Sequence, residues 1–193
     1  MTEAERMLLA LYDQASPAVR RRGRSWYPEC SRQLRQIADR TGVRPAHAAA
    51  VFSIVSPVVQ VSTALLWTEE ILRGDRVGGR FPNVQAPKIR AALETTRPIH
   101  RLNGPKVQPF YRALMGDPDA LVLDRWAAFA AGYEDRSKNI PPAVRRQIEA
   151  AYRAAAAAVG ETVRAFQAII WIVVRESTPK SNGVLPRLQD VTA

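Results

Sequence analysis

The stretch Arg101-Leu-Asn-Gly-Pro-Lys106-Val-Gln-Pro-Phe-Tyr-Arg-Ala-Leu-Met-Gly-Asp-Pro-Asp-Ala-Leu121-Val-Leu-Asp124-Arg-Trp126 decides how the remaining sequence is read. Asn103-Gly-Pro105 is a turn signal that delivers Lys106 to an apolar segment expected as a helix to about Met115. Pro109 is tolerated in the first turn of that helix. Gly116-Asp-Pro-Asp119 reads as a second turn, and Leu121-Val-Leu123 as a short extended link. Asp124 then caps a helix through Ala131, which Gly132 ends. The stretch sets one amine and one carboxylate at two helix starts, a candidate active-site pair. A solvated lysine and a capping aspartate are the structural reading of the same two residues.

Outward from this stretch the chain reads as helix after helix. Thr2 caps a first helix to Gln14, with Glu3 and Glu5 in its first turn and Met7, Leu8, Leu11 and Tyr12 on one face. Arg20-Arg-Arg-Gly-Arg24 is a basic run expected as a solvated loop. Trp26-Tyr-Pro28 leads into a helix to about Arg40, with Leu34, Ile37 and Ala38 inward. Pro45–Val55 is an apolar helix, and a second is expected from Pro57 to Arg73 with Val61, Ala64, Leu65, Trp67 and Leu72 inward. Residues 74–82 are expected as a loop, and Asn83 as the cap of a helix over 84–95. After a polar loop over 133–140, Pro141-Pro142 opens an alanine-rich helix to Val159. The segment from Glu161 to Glu176 is the most apolar, with Phe166, Ile169, Ile170, Trp171, Val173 and Val174 expected to be buried. Residues 178–193 read as an irregular tail. No repeat or convincing strand interrupts the pattern, so the fold class is all-α.

Composition bounds the partners. The 193 residues carry 28 Lys+Arg against 18 Asp+Glu, a net charge of +10 that suggests a polyanionic partner, nucleic acid before a membrane surface. Only four of the cations are lysines: Lys88, Lys106, Lys138 and Lys180. Cys30 is the single cysteine, which excludes an intrachain disulfide and cysteine-rich metal or cluster sites. His47 and His100 are the only histidines, so no metal site and no cofactor is expected. No apolar run is long enough to span a bilayer, and Met-Thr-Glu-Ala-Glu-Arg6 lacks the design of a secretory signal; a cytoplasmic protein with no membrane partner is the expectation.

Leu102-Asn-Gly-Pro-Lys106-Val107 resembles the hairpin and lysine of the helix-hairpin-helix (HhH-GPD) DNA glycosylase superfamily, of the endonuclease III and 8-oxoguanine glycosylase types. Leu121-Val-Leu-Asp124-Arg-Trp126 resembles that family's apolar link and its aspartate, at the lysine-to-aspartate spacing of the endonuclease III type. Ala50-Val-Phe-Ser-Ile-Val-Ser56 and Asn83-Val-Gln-Ala-Pro-Lys88-Ile89 resemble the helix end and the basic helix that precede the hairpin, so the likeness covers roughly residues 45–132. It implies a single helical domain over residues 1–177 with two lobes, one of about 44–123 and the other of about 1–43 plus 124–177.

The same resemblance implies an enzyme that acts on a flipped base and cleaves its N-glycosidic bond. Asp124 stabilises the positive charge that develops on the deoxyribose. Lys106 attacks C1′, forms a Schiff base and leads to strand cleavage by β-elimination as an AP lyase. Arg101, Asn103, Gly104, Arg125, Lys88 and Gln60 are the DNA-binding candidates, and Trp26, Tyr27 and Tyr111 the base-pocket candidates. Two departures accompany the likeness. The hairpin is shorter than the family pattern and carries Pro105, which has no N–H to offer a phosphate. Val58 stands where the endonuclease III type has the glutamine that fills the gap left by the flipped base, with Gln60 nearby. These departures keep open a base-hypermodifying transferase on the same fold, of the viral thymidine type, and a non-catalytic basic DNA-binding protein.

Overall fold

Thr2 opens the first helix with a reciprocal cap: its hydroxyl accepts from the Glu5 N–H, and its own N–H donates to the Glu5 carboxylate. Thr2→Ala is therefore expected to cost about 1 kcal/mol in urea unfolding. The computed structural model describes residues 1–57, 59–75, 80–134 and 140–177. Val58, the tail at 178–193 and the loop positions 76–79 and 135–139 lie outside the described residues. The described residues form nine α-helices and no strand: α1 Glu3–Gln14, α2 Pro17–Thr41, α3 Pro45–Val55, α4 Val61–Arg73, α5 Arg80–Leu93, α6 Val107–Leu114, α7 Arg125–Ala130, α8 Pro142–Ala158 and α9 Val163–Ser177. A 3-10 turn, Pro98–Arg101, stands between α5 and α6.

The helices divide into two units. One comprises Met1–Tyr27 with the described residues from Asp117 on, and the other is Pro28–Gly116. The boundaries differ from the expected lobes at both ends. Residues 28–43 group with the middle of the chain, and 117–123 with the outer segments.

In the first unit, α1, α7, α8 and α9 pack on one another around Tyr12, Tyr152 and Phe166. Tyr12 stacks on Phe166 at 5.5 Å between centroids, and Tyr152 meets the same ring edge-on at 6.0 Å. The link before α7 is part of this core, because Leu121 and Leu123 are buried in it. The basic run is not a loop. Arg20 to Arg24 lie within α2, where arginine is a good helix former and only Gly23 is not. Gly23 is there for a contact: a Cβ on it would lie 2.3 Å from Ile169 Cγ1 and 2.8 Å from the Ile169 backbone. Three of the run's arginines serve the fold. Arg20 donates to the Ala15 and Tyr12 carbonyls at the end of α1. Arg22 pairs with Glu176, and Arg24 donates from Nε and Nη2 to Glu161 Oε1, which also accepts from Tyr12.

In the second unit α3 is the axis. It is apolar on all sides and buried from Ala48 to Val55, with α4, α5, α6 and the 3-10 turn around it. Its buried hydroxyl, Ser53 Oγ, donates to the Ala49 carbonyl. The end of α2 is tied in by Ser31 Oγ donating to Leu114 O at 2.6 Å and by the Arg40–Glu69 ion pair. α4 starts at Val61 rather than Pro57, and it turns Ala64 and Thr68 inward. Val61, expected inside, is 38 % exposed, and Leu66 is 57 % exposed. α5 starts at Arg80, so part of the expected loop is helical and Asn83 lies inside the helix instead of capping it. Pro82 falls in the first turn, where a missing N–H costs no intrahelical bond.

Candidate active site

Asp124 is positioned from both sides. Behind it, the buried Ala120–Leu123 link anchors the chain in the core of the first unit. Ahead of it, α7 begins, and Asp124 in extended conformation (φ −96°, ψ −179°) is its N-cap. Oδ1 accepts from Trp126 N at 3.0 Å and Ala127 N at 2.9 Å. These bonds satisfy two of the donors that a helix start leaves open. The side chain is half-buried.

Ala127, whose N–H Asp124 caps, is held through its carbonyl by a residue that the sequence did not single out. The Tyr152 hydroxyl, fully buried on α8, donates to Ala127 O at 3.0 Å. Burial and then the nearby Asp124 charge push the Tyr152 phenol well above its ordinary pKa, so it stays a donor. Tyr152→Phe removes that donor from a buried carbonyl. A loss of about 1–3 kcal/mol is expected, read by urea unfolding.

Beyond the cap lies an aromatic and arginine cluster, all of it within the first unit. Trp126 is buried, with the Arg125 guanidinium 5.4 Å from its ring centroid and that of Arg175 4.9 Å away. Arg175 also lies 5.6 Å from Trp171, which is 6.1 Å from Trp26. Trp26 meets Tyr27 edge-on at 4.7 Å. Tyr27 itself is a core residue, 3 % exposed, whose hydroxyl donates to Gln167 Oε1 at 2.9 Å. Trp171, expected to be buried, is half-buried, as is Trp26. The missed members, Trp171 and Arg175, had a local signal: they are four residues apart on one helix.

The remaining expected residues belong to the second unit. Gly104 has φ +96°, a conformation that favours glycine and makes the turn before Lys106. Lys106 is half-buried at the N-cap of α6, and its carbonyl accepts from Phe110 N at 3.0 Å. Leu102 anchors the turn from one side, and Phe110, 5.6 Å from Phe52, holds the helix from the other. Arg101, Asn103 and Lys88 are exposed, and Gln60 is exposed at the N-cap of α4. Tyr111 is 7 % exposed, and burial raises its pKa. The expected pair is thus divided by unit, Asp124 in the first and Lys106 in the second.

Cys30 is buried and its pKa is pushed up to about 12, mainly by that burial, which keeps it a thiol rather than a thiolate nucleophile. Among the described residues no group of three or more His, Cys, Asp or Glu side chains is arranged to hold a metal ion. Against known proteins, the sequence matches a family of unknown function, DUF7178, over residues 1–178. No curated protein and no solved structure matches it.

Proposed function

We propose that this chain, which belongs to the DUF7178 family, is a DNA-directed enzyme of the glycosylase type that uses Asp124 at the deoxyribose C1′ of an everted nucleotide. The observation that carries the reading is the setting of Asp124. A core-anchored apolar link delivers its carboxylate, and two backbone N–H groups fix it at Oδ1, as the resemblance at Leu121–Trp126 implies. Cleavage sends the electron pair of the C1′–N bond to the departing base and leaves positive charge on the sugar. A fixed carboxylate beside C1′ stabilises that charge more than it stabilises the neutral ground state. Water then adds at C1′ and loses a proton. The basic composition supports DNA as the partner, with Arg125 exposed beside the carboxylate in sequence.

The test is release of free base, measured by mass spectrometry, from oligonucleotides carrying uracil, 5-hydroxymethyluracil, 8-oxoguanine or alkylated bases. Release by the native protein is expected. A gain of mass on the DNA without release, given a small-molecule donor, would turn the reading to a base-modifying transferase. Binding without either outcome would leave a non-catalytic DNA-binding protein. Lys106 is tested on its own terms. Borohydride is expected to trap the native protein on abasic DNA and to yield at least tenfold less adduct with Lys106→Ala. An undiminished adduct would remove Lys106 from the chemistry without touching the assignment of Asp124.

A further inference from the structure

The crossing of α2 and α9 carries more than the Gly23 contact. Trp26 on α2 and Trp171 on α9 lie 6.1 Å apart, both half-buried rather than enclosed. Arg175, one turn after Trp171, places its guanidinium 5.6 Å from the Trp171 ring and 4.9 Å from that of Trp126. Arg125 approaches Trp126 as well, at 5.4 Å. Both arginines are exposed. A half-buried tryptophan pair leaves part of its apolar ring surface accessible. Two exposed guanidinium groups that share ring contacts with the same cluster add a partner-directed charge.

We infer that Trp26, Trp171, Arg175 and Arg125 form a platform for an unpaired segment of DNA, its bases stacking on the tryptophans and its phosphates meeting the arginines. Stacking needs a base with an open π-face, which a paired duplex does not offer, and guanidinium forks match phosphate oxygens. The net charge of +10 fits a polyanion. The Arg22–Glu176 ion pair lies on the same two helices; its charges offset each other, leaving Arg175 as the cation of that rim that touches the rings. The inference rests on DNA as the partner in the proposed function but not on the chemistry of Asp124. The platform holds a strand and breaks no bond.

The experiment is a fluorescence titration of the full chain with oligo(dT), with the duplex of the same length, and with anionic phospholipid vesicles. Oligo(dT) is expected to quench tryptophan emission and to bind more tightly than the duplex. Trp171→Ala should weaken binding about tenfold or more and reduce the quench. Arg175→Gln, a surface change, should weaken binding and lower the slope of log K against log salt by about 1. Far-UV circular dichroism and melting check that each variant is folded; if Trp171→Ala is not, Arg175→Gln decides. Unchanged oligo(dT) affinity in a folded Arg175→Gln, equal quenching by duplex, or quenching by vesicles alone would each overturn the inference. Base release that persists in a platform variant with weakened binding would separate this surface from the Asp124 chemistry. Intact oligo(dT) binding with no base release would leave the platform standing without that chemistry.

Discussion

Gly23→Ala is expected to destabilise the protein by about 1–3 kcal/mol, although alanine is the better helix former. The helix gain, about 1 kcal/mol from propensity, is outweighed by where the new methyl must go. It would stand 2.3 Å from Ile169 Cγ1 and 2.8 Å from the Cα and N of Ile169. A side chain can swing away, but the backbone of α9 moves only with the rest of its buried face, which includes Phe166, Ile170 and Val174. Trimming the partner therefore does not rescue the variant. Gly23→Ala with Ile169→Ala still meets the backbone and adds a cavity cost of about 2–5 kcal/mol. Gly42→Ala is the control, with φ +69° and no atom within reach of its Cβ, so only local strain is expected there. Urea unfolding followed by circular dichroism measures all three. A neutral or stabilising Gly23→Ala would mean that the two helices are not this close in solution.

That glycine shows where the sequence could and could not be read. A run of arginines around a glycine reads as a solvated loop, yet Gly23 lies inside α2. The reason for it lies far along the chain, in Ile169, and no pattern around residue 23 records that partner. The capping box at Thr2 and Glu5, the proline starts of α3 and α8 and the apolar run of α9 are local signals, and the helices stand where those signals put them, within one or two residues. Val61 was misplaced for a related reason. A helix from Pro57 puts Val61 one turn inside on the apolar face, but α4 begins at Val61, the inward positions are Ala64 and Thr68, and Thr68 covers its hydroxyl on the Ala64 carbonyl.

The candidate site divides along the same line. Asp124 as a cap was legible, because an aspartate after an apolar link and before Arg-Trp-Ala-Ala meets a local need of the backbone. Tyr152 was not, since its phenol serves a carbonyl 25 residues away in sequence. Tyr27 read as a base-stacking candidate because of the neighbouring Trp26 and the arginines, yet its hydroxyl is committed to Gln167 inside the core. Trp171, the half-buried ring beside Trp26, stands within an apolar run and so reads as buried.

Asp124→Asn is expected to lower base release by about 10²–10³-fold while leaving the fold nearly intact. The two roles of the residue separate at this substitution. As a cap, asparagine is nearly equivalent: its amide oxygen accepts from Trp126 and Ala127 as Oδ1 does now. What it loses is charge, worth about 0.3–1 kcal/mol against the helix dipole. As a stabiliser of cationic sugar it fails, because a neutral amide offers no counter-charge to C1′. Asp124→Ala removes both functions, so it should lose activity and about 1 kcal/mol of stability as well. Melting and base release measured on the same preparations give two numbers per variant. A purely structural aspartate predicts that Asn keeps both activity and stability; a catalytic one predicts that Asn keeps only stability. An Asn variant that releases base at the native rate would return Asp124 to the role of a helix cap and remove the carboxylate from the proposed chemistry.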